Sequence, residues 1–184
     1  MATAAVNARP IGPTGTYTVR ALGAGGFEAV EAALARKCAD LATRSERHAV
    51  IVSLEADPAH YFTQTLVDFE DGAWVEAVSN EFIAQGHELD AAQHRLLGLF
   101  GFHPPDDWSP NHYRLLPPPA DWTLVARLLV GPLEAVYGAT PRTELTVDVS
   151  WVSRPSTAQR RSGAARRRRG ETPRPRLGSA PTCL

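Results

Sequence analysis

An Asp-Gly pair between two strand-like segments constrains the fold of this chain most. The segments HYFTQTLVDF (60–69) and AWVEAVSN (73–80) are rich in β-branched and aromatic residues, and Asp71-Gly72 lies between them. Asp-Gly is typical of a two-residue hairpin turn, which needs positive φ angles at both central positions. Together with AVIVSLE (49–55), these segments predict an antiparallel meander, which differs from the βαβ repeat of a nucleotide-binding sheet.

Amphipathic helices are predicted on both sides of the meander. Before it, apolar residues recur at helical spacing from about residue 27 to 45: Phe27, Val30, Leu34, Cys38 and Leu41. After it, Asp90 and Gln93 form a capping-box pattern that opens a short helix ending near Gly101. A longer helix is predicted over about 121–137, with Gly138 at its C-terminal cap.

The segment ELTVDVSWV (144–152) predicts a final strand with Leu145, Val147, Val149 and Trp151 on one face. The predicted fold class is therefore α+β, with an N-terminal helix, an antiparallel β-meander, a short helix, a long helix and a final strand. Between the two later helices, GFHPPDDWSPNHYR (101–114) is predicted to be a proline-stiffened crossover that Phe102 and Trp108 attach to the core.

The charge of the chain is divided between two regions. Residues 1–152 carry 10 Lys and Arg against 19 Asp and Glu, whereas residues 153–184 carry 9 Arg against one Glu. The second region has almost no large apolar residues and is predicted to be disordered. We therefore divide the chain into a flexible lead-in (1–25) that contains a possible strand TYTVRAL (16–22), a folded domain (26–152) and an Arg-rich tail (153–184).

Two further expectations concern the tail and the cellular compartment. The tail begins abruptly after a strand, as the product of a shifted reading frame in a GC-rich gene would, and resequencing the 3′ end of the gene tests this. Cys38 and Cys183 are too few for a disulfide framework, which suits a reducing compartment. Because no signal-peptide pattern or membrane-spanning run is present, we expect a soluble, cytoplasmic protein.

A nucleotide site is one alternative, because a possible strand, the segment GAGG (23–26) and a helix follow one another as in a dinucleotide-binding unit. The third glycine of that motif is replaced by Glu28, whose charge and bulk oppose a pyrophosphate. No further βαβ unit follows. The sequence therefore favours a plain lead-in to the first helix.

No other pattern points strongly to catalysis or to a cofactor. Two sets of residues contain metal-ligand types: His87, Glu88, Asp90 and His94, and His103, Asp106, Asp107 and His112. Neither set has a recognised ligand spacing. No G-x-S-x-G motif is present, and Cys38 lies on an apolar stripe. We expect no metal, no cofactor and no enzymatic activity.

The predicted hairpin suggests a binding surface instead. A two-residue turn at Asp71-Gly72 would pair Phe69 with Trp74 and continue in that register, giving one face that mixes apolar and polar side chains. Such a face suits a bound polypeptide, because it offers both anchors and hydrogen bonds. The candidate peptide-binding residues are Tyr61, Thr63, Thr65, Val67, Phe69, Trp74, Glu76, Val78 and Asn80. The other face, with Phe62, Leu66, Val75 and Ala77, is expected to pack on helices; a sheet covered on both faces is the alternative.

Several short motifs resemble a bacterial family that combines type III secretion chaperone-like and YbjN-like domains. They are the strand with Gln64, the strand EAVSN that ends at Asn80, the Gly101-Phe102-x-Pro104-Pro105 pattern and the following Asn111. The resemblance covers roughly residues 27–150. It implies a small α+β fold without catalytic residues and a role in holding polypeptide segments.

The first hypothesis is therefore a non-enzymatic chaperone or adaptor that binds polypeptide on its sheet or in a helix groove, possibly as a homodimer. The second is a small enzyme or nucleotide-binding protein that uses GAGG. The third is non-specific association with nucleic acid through the Arg-rich tail, by neutralisation of phosphates. No membrane partner is expected.

Overall fold

The computed structural model describes residues 15–20, 26–44, 46–54, 57–68 and 72–152. Within these ranges the chain forms an α+β fold with three helices and one antiparallel six-stranded sheet, which confirms the predicted fold class. The elements in chain order are β1 (Gly15–Arg20), α1 (Gly26–Ala42), β2 (Arg47–Leu54), β3 (Phe62–Asp68), β4 (Gly72–Ala77), α2 (Ala91–Leu99), β5 (His112–Leu116), α3 (Trp122–Ala135) and β6 (Glu144–Val152).

The sheet is built around the predicted meander. Its strand order is β1-β6-β2-β3-β4-β5, so β2, β3 and β4 are neighbours in chain order as expected. The possible strand near the N-terminus is confirmed as β1, which pairs with β6. Strand β5 was not predicted, because its five residues HYRLL lie within and just beyond the segment that we expected to be a crossover.

The hydrophobic core lies between one face of the sheet and the helices. The predicted apolar stripe of α1 is buried, and α1 packs against α3. Strand side chains that alternate along the sheet complete the core: Val50, Val52, Val67, Val75, Leu145, Val147 and Val149. Burying each such side chain stabilises the fold by about 1.5–3 kcal/mol. Trp151 lies on the same face of β6 as Leu145, Val147 and Val149, as predicted, but it is 58% exposed at the end of the strand.

Polar contacts fix the helices over the sheet. Asp121 caps α3 through hydrogen bonds that its carboxylate accepts from the backbone of Thr123 and Leu124. From β3, the Thr63 hydroxyl donates to the carbonyl of Leu129 in α3 at 2.6 Å. The capping box of Asp90 and Gln93 is present at the start of α2, as predicted.

The predicted register of the hairpin is wrong. Leu66 lies opposite Trp74, and Asp68 lies opposite Gly72, so the pairing is shifted by three residues from a two-residue turn at Asp71-Gly72. Asp71 itself lies outside the described residues. Because side chains alternate between the two faces of a strand, an odd shift moves each side chain of β4 to the other face relative to β3.

The structure gives another reason for a glycine at position 72. Gly72 has a φ of 82°, and a Cβ atom there would lie 2.2 Å from the backbone oxygen of Leu116 in β5. Glycine therefore permits the close approach of β4 to the end of β5. This requirement, rather than a two-residue turn, explains the residue that gave the hairpin signal.

This explanation predicts different effects for two glycines with similar φ angles. Gly86 has a φ of 87°, but no atom would contact a Cβ placed there. Gly86→Ala should lower the free energy of unfolding by about 1–2 kcal/mol, the penalty for a left-handed conformation. Gly72→Ala should lower it by a further ~1–3 kcal/mol because the backbone has to move. Equal losses in urea unfolding would contradict the close approach.

Candidate functional site

The face of the sheet opposite the helices, which we call the open face, carries a continuous row of apolar side chains. This apolar row consists of Ala49, Leu66, Trp74 and Leu115, which lie side by side on β2, β3, β4 and β5. The first three are half-buried, and Leu115 is 58% exposed. Thr63 on β3 and His112 and Arg114 on β5 point the other way, where they contact α3 and α2.

A second row on the open face mixes polar and apolar groups. This mixed row contains Asp148, Ile51, Gln64, Glu76 and Tyr113, again in register across neighbouring strands. Glu76 is only 5% exposed, but its two oxygens accept hydrogen bonds from the Gln64 amide and, at 2.6 Å, from the Ser109 hydroxyl. These bonds offset the loss of water around a buried carboxylate.

The loop before β5 lies beside the end of the mixed row that is formed by Glu76 and Tyr113. His103 exchanges two backbone hydrogen bonds with Tyr113, at 2.8 and 3.1 Å, and the Tyr113 ring stacks on Trp74 with their centroids 5.4 Å apart. The Tyr113 hydroxyl donates to Asp106, which also accepts from the backbone N–H of Trp108. The Trp108 N–H, and then the Tyr113 hydroxyl, hold the pKa of Asp106 below its usual value.

This loop is partly as predicted. Phe102 is buried in the core, as expected, but Trp108 is 59% exposed and is not part of the core. The attachment comes from Ser109, Asn111 and Tyr113, whose side chains hydrogen-bond to Glu76, to the backbone of Ser79 and to Asp106.

The nine predicted site residues do not share one face. Only Trp74 and Glu76 lie on the open face, whereas Thr63, Thr65 and Val67 are buried on the helix face. The remaining described members lie beyond the strand ends: Tyr61 stacks on Tyr137, Val78 is buried, and Asn80 pairs with the backbone of Leu89. Phe69 lies outside the described residues. The incorrect hairpin register is the cause of this division.

The second predicted face is divided for the same reason. Val75 and Ala77 face the helices as expected, and the half-buried Phe62 packs against the core, but Leu66 lies on the open face and is half-buried. The sequence analysis missed Tyr113, Leu115 and Ser109 because β5 was not predicted. The alternation of Tyr113 and Leu115 in HYRLL was the available signal, but it is short and ends at a run of prolines.

The two sets of residues with metal-ligand types, which lack a recognised spacing in the sequence, are not assembled into a cluster by the described structure. His94 from the first set contacts His112 from the second, with 3.1 Å between Nδ1 of His94 and Nε2 of His112. In the described part of the chain, no group of three or more His, Cys, Asp and Glu residues could hold a metal ion.

The Cys38 thiol is buried, which raises its pKa to about 12. The first three residues of GAGG, 23–25, and the tail, 153–184, lie outside the described residues.

A comparison with known families matches residues 27–151 to the family described as T3SS (YopN, CesT) and YbjN peptide-binding chaperone 3 (TY-Chap3). The chain belongs to this family. The match confirms the resemblance that Gln64, Asn80 and the Gly101-to-Pro105 pattern indicated, and its description agrees with a chaperone role. Searches of the curated proteins and of the solved structures gave no significant match. Within the described ranges, no helix is both long enough and apolar enough to cross a membrane.

The contact of the half-buried His94 with the buried His112 predicts a dependence of stability on pH. Burial first, and then the neighbouring His94, lowers the pKa of His112 to about 4 from 6.5. Between these values the unfolded chain binds a proton that the folded chain does not. The free energy of unfolding should therefore fall by up to about 3 kcal/mol as the pH drops from 6.5 to 4.

Chemical denaturation at a series of pH values measures this contribution. His112→Gln should remove most of the loss assigned to this histidine, whereas His87→Gln, at an exposed position, should leave it unchanged. An identical pH profile for the wild type and His112→Gln would contradict the assignment.

Proposed function

We propose that the chain is a non-enzymatic chaperone or adaptor that holds extended polypeptide segments on its open face. Membership of the TY-Chap3 family supports a polypeptide ligand. The single observation that favours the open face as the binding surface is the apolar row, which crosses four strands on the side opposite the helices. An apolar surface that the described residues leave partly exposed is typical of a protein-interaction site.

The open face offers both types of contact that a bound polypeptide needs. Leu66, Trp74 and Leu115 provide apolar surface, and the stacked Trp74–Tyr113 pair presents a broad aromatic platform. In the neighbouring row, the Gln64 amide adds a hydrogen-bonding group for a ligand backbone. Strands lie about 4.8 Å apart, so the apolar row extends about 14 Å, the length of roughly four residues of an extended chain.

Truncation of the apolar row should weaken the binding of an unfolded protein. Trp74→Ala and Leu115→Ala each remove a large side chain that stands on the open face. We expect each to weaken binding by about 5- to 30-fold, corresponding to about 1–2 kcal/mol at an interface anchor. Fluorescence anisotropy with labelled, reduced and carboxymethylated α-lactalbumin, a permanently unfolded protein, measures the effect.

Two exposed side chains elsewhere provide matched controls. Trp151 projects from the helix-facing side of β6 and is 58% exposed, and Leu99 lies in α2 and is 84% exposed. Trp151→Ala and Leu99→Ala should leave the affinity within about twofold of the wild type, as expected for surface sites outside an interface. If the control pair weakens binding as much as the open-face pair, the binding surface lies elsewhere.

A further inference from the structure

Three aromatic rings follow one another across the edge of the open face. The Tyr113 ring lies between those of His103 and Trp74, with its centroid 5.4 Å from each of theirs. Trp74 belongs to the apolar row, so this aromatic stack adjoins the surface that we propose for polypeptide binding. Because the middle ring contacts both of the others, the orientation of Tyr113 determines the shape of this end of the open face.

Tyr113 is held at both ends of its side chain. Its backbone is paired with Glu76 in β4 and, on the other side, with His103. Its hydroxyl donates to Oδ2 of Asp106 at 2.8 Å. The lowered pKa of Asp106, caused first by the N–H of Trp108, keeps this acceptor ionised at neutral pH. A hydrogen bond to a carboxylate is stronger than one between neutral groups, so it restrains the ring effectively.

Asp106 is itself fixed by the loop and, through the loop, by β4. Its Oδ1 accepts from the backbone N–H groups of Trp108 at 2.7 Å and Ser109 at 3.2 Å. Its own N–H donates to the Ser109 carbonyl at 2.9 Å. The Ser109 hydroxyl donates to Glu76, which lies opposite Tyr113 in the sheet. These contacts form a closed circuit, so the acceptor for the Tyr113 hydroxyl is already in position in the free protein.

An ordered side chain favours binding because it loses less conformational entropy when it becomes part of an interface. Tyr113 is half-buried, so part of its ring is accessible to a ligand. We infer, building on the proposed function, that Asp106 is a positioning residue that orders the aromatic stack and thereby raises the affinity of the open face for polypeptide. Asp106 acts through the Tyr113 hydroxyl and not through its own charge.

Three substitutions in the full-length chain separate the hydrogen bond from the loop turn and from the charge. Asp106→Ser removes the acceptor for Tyr113, but a serine hydroxyl can still accept from the backbone two residues on, as in an ST-turn. Tyr113→Phe removes the hydroxyl and keeps the ring. Asp107→Ser, at the neighbouring exposed position, changes the net charge by the same amount as Asp106→Ser and serves as the matched control.

Fluorescence anisotropy with labelled, reduced and carboxymethylated α-lactalbumin measures the affinity. Asp106→Ser and Tyr113→Phe should each weaken binding by about 3- to 10-fold, as expected when one side chain is no longer ordered before binding. The double variant should lose about the same factor as either single variant, since both substitutions remove one bond. Asp107→Ser should not weaken binding: carboxymethylation adds negative charge to the probe, so the loss of a carboxylate by itself favours association.

NMR follows the ring directly. In the wild type, the stacked Tyr113 ring shifts the indole signals of Trp74 by its ring current. This shift should decrease in Asp106→Ser and stay unchanged in Asp107→Ser. A lower free energy of unfolding in Asp106→Ser, with an unchanged Trp74 shift and unchanged affinity, would show a purely structural role for Asp106 and overturn the inference.

The possible outcomes separate this inference from the proposed function. If Trp74→Ala weakens binding but Asp106→Ser and Tyr113→Phe do not, the positioning role is overturned and the binding face stands. A double variant that loses the product of the two single factors would overturn the positioning role as well, because Asp106 would then act independently of Tyr113. So would an equal loss in Asp107→Ser. Unchanged binding in every variant, Trp74→Ala included, would overturn both proposals.

Discussion

The pairing of β3 with β4 decides which side chains of the sheet contact the helices and which face outwards. Several contacts hold this register: the Gln64–Glu76 hydrogen bond across the two strands, the Thr63 bond to the Leu129 carbonyl, and the ion pair of Asp68 with Arg47 on β2. A slip by one residue would turn Leu66 inwards and Thr65 outwards. The apolar row exists only in the observed register.

The loop before β5 connects the two sides of the sheet at its edge. On the open face, the Ser109 hydroxyl donates a hydrogen bond to the buried carboxylate of Glu76. On the helix face, the guanidinium of Arg114 donates to the carbonyl of Phe100 at the end of α2. The backbone of His103 pairs with the outer edge of β5, and prolines follow that strand. These features protect the edge from uncontrolled pairing with other chains.

Local patterns in the sequence predicted most of the elements. The stripe of α1, the capping box of α2 and the alternation of β6 each lie within one continuous segment, so their periodicity is sufficient to identify them. The family resemblance was also found this way, from short motifs such as the Gly101-to-Pro105 pattern.

Contacts between distant segments were not predictable in the same way. Gly72 meets Leu116, which is 44 positions later, so its positive φ was assigned to a local turn. In β4, Trp74 and Val75 are adjacent and both apolar, so alternation alone does not show which one faces the core. Strand β5 is short and carries exposed side chains, which hid both the strand and the end of the apolar row.

The most direct test of the central claim is to map a bound polypeptide by NMR chemical-shift changes. On titration with the unfolded protein, the signals of Leu66, Ile51 and the Trp74 indole should change most, because their side chains lie on the open face. Signals from the exposed positions of α1 and α3, such as Glu28 and Arg127, should hardly change. Changes concentrated on the helices, with the open-face signals unaffected, would contradict the account.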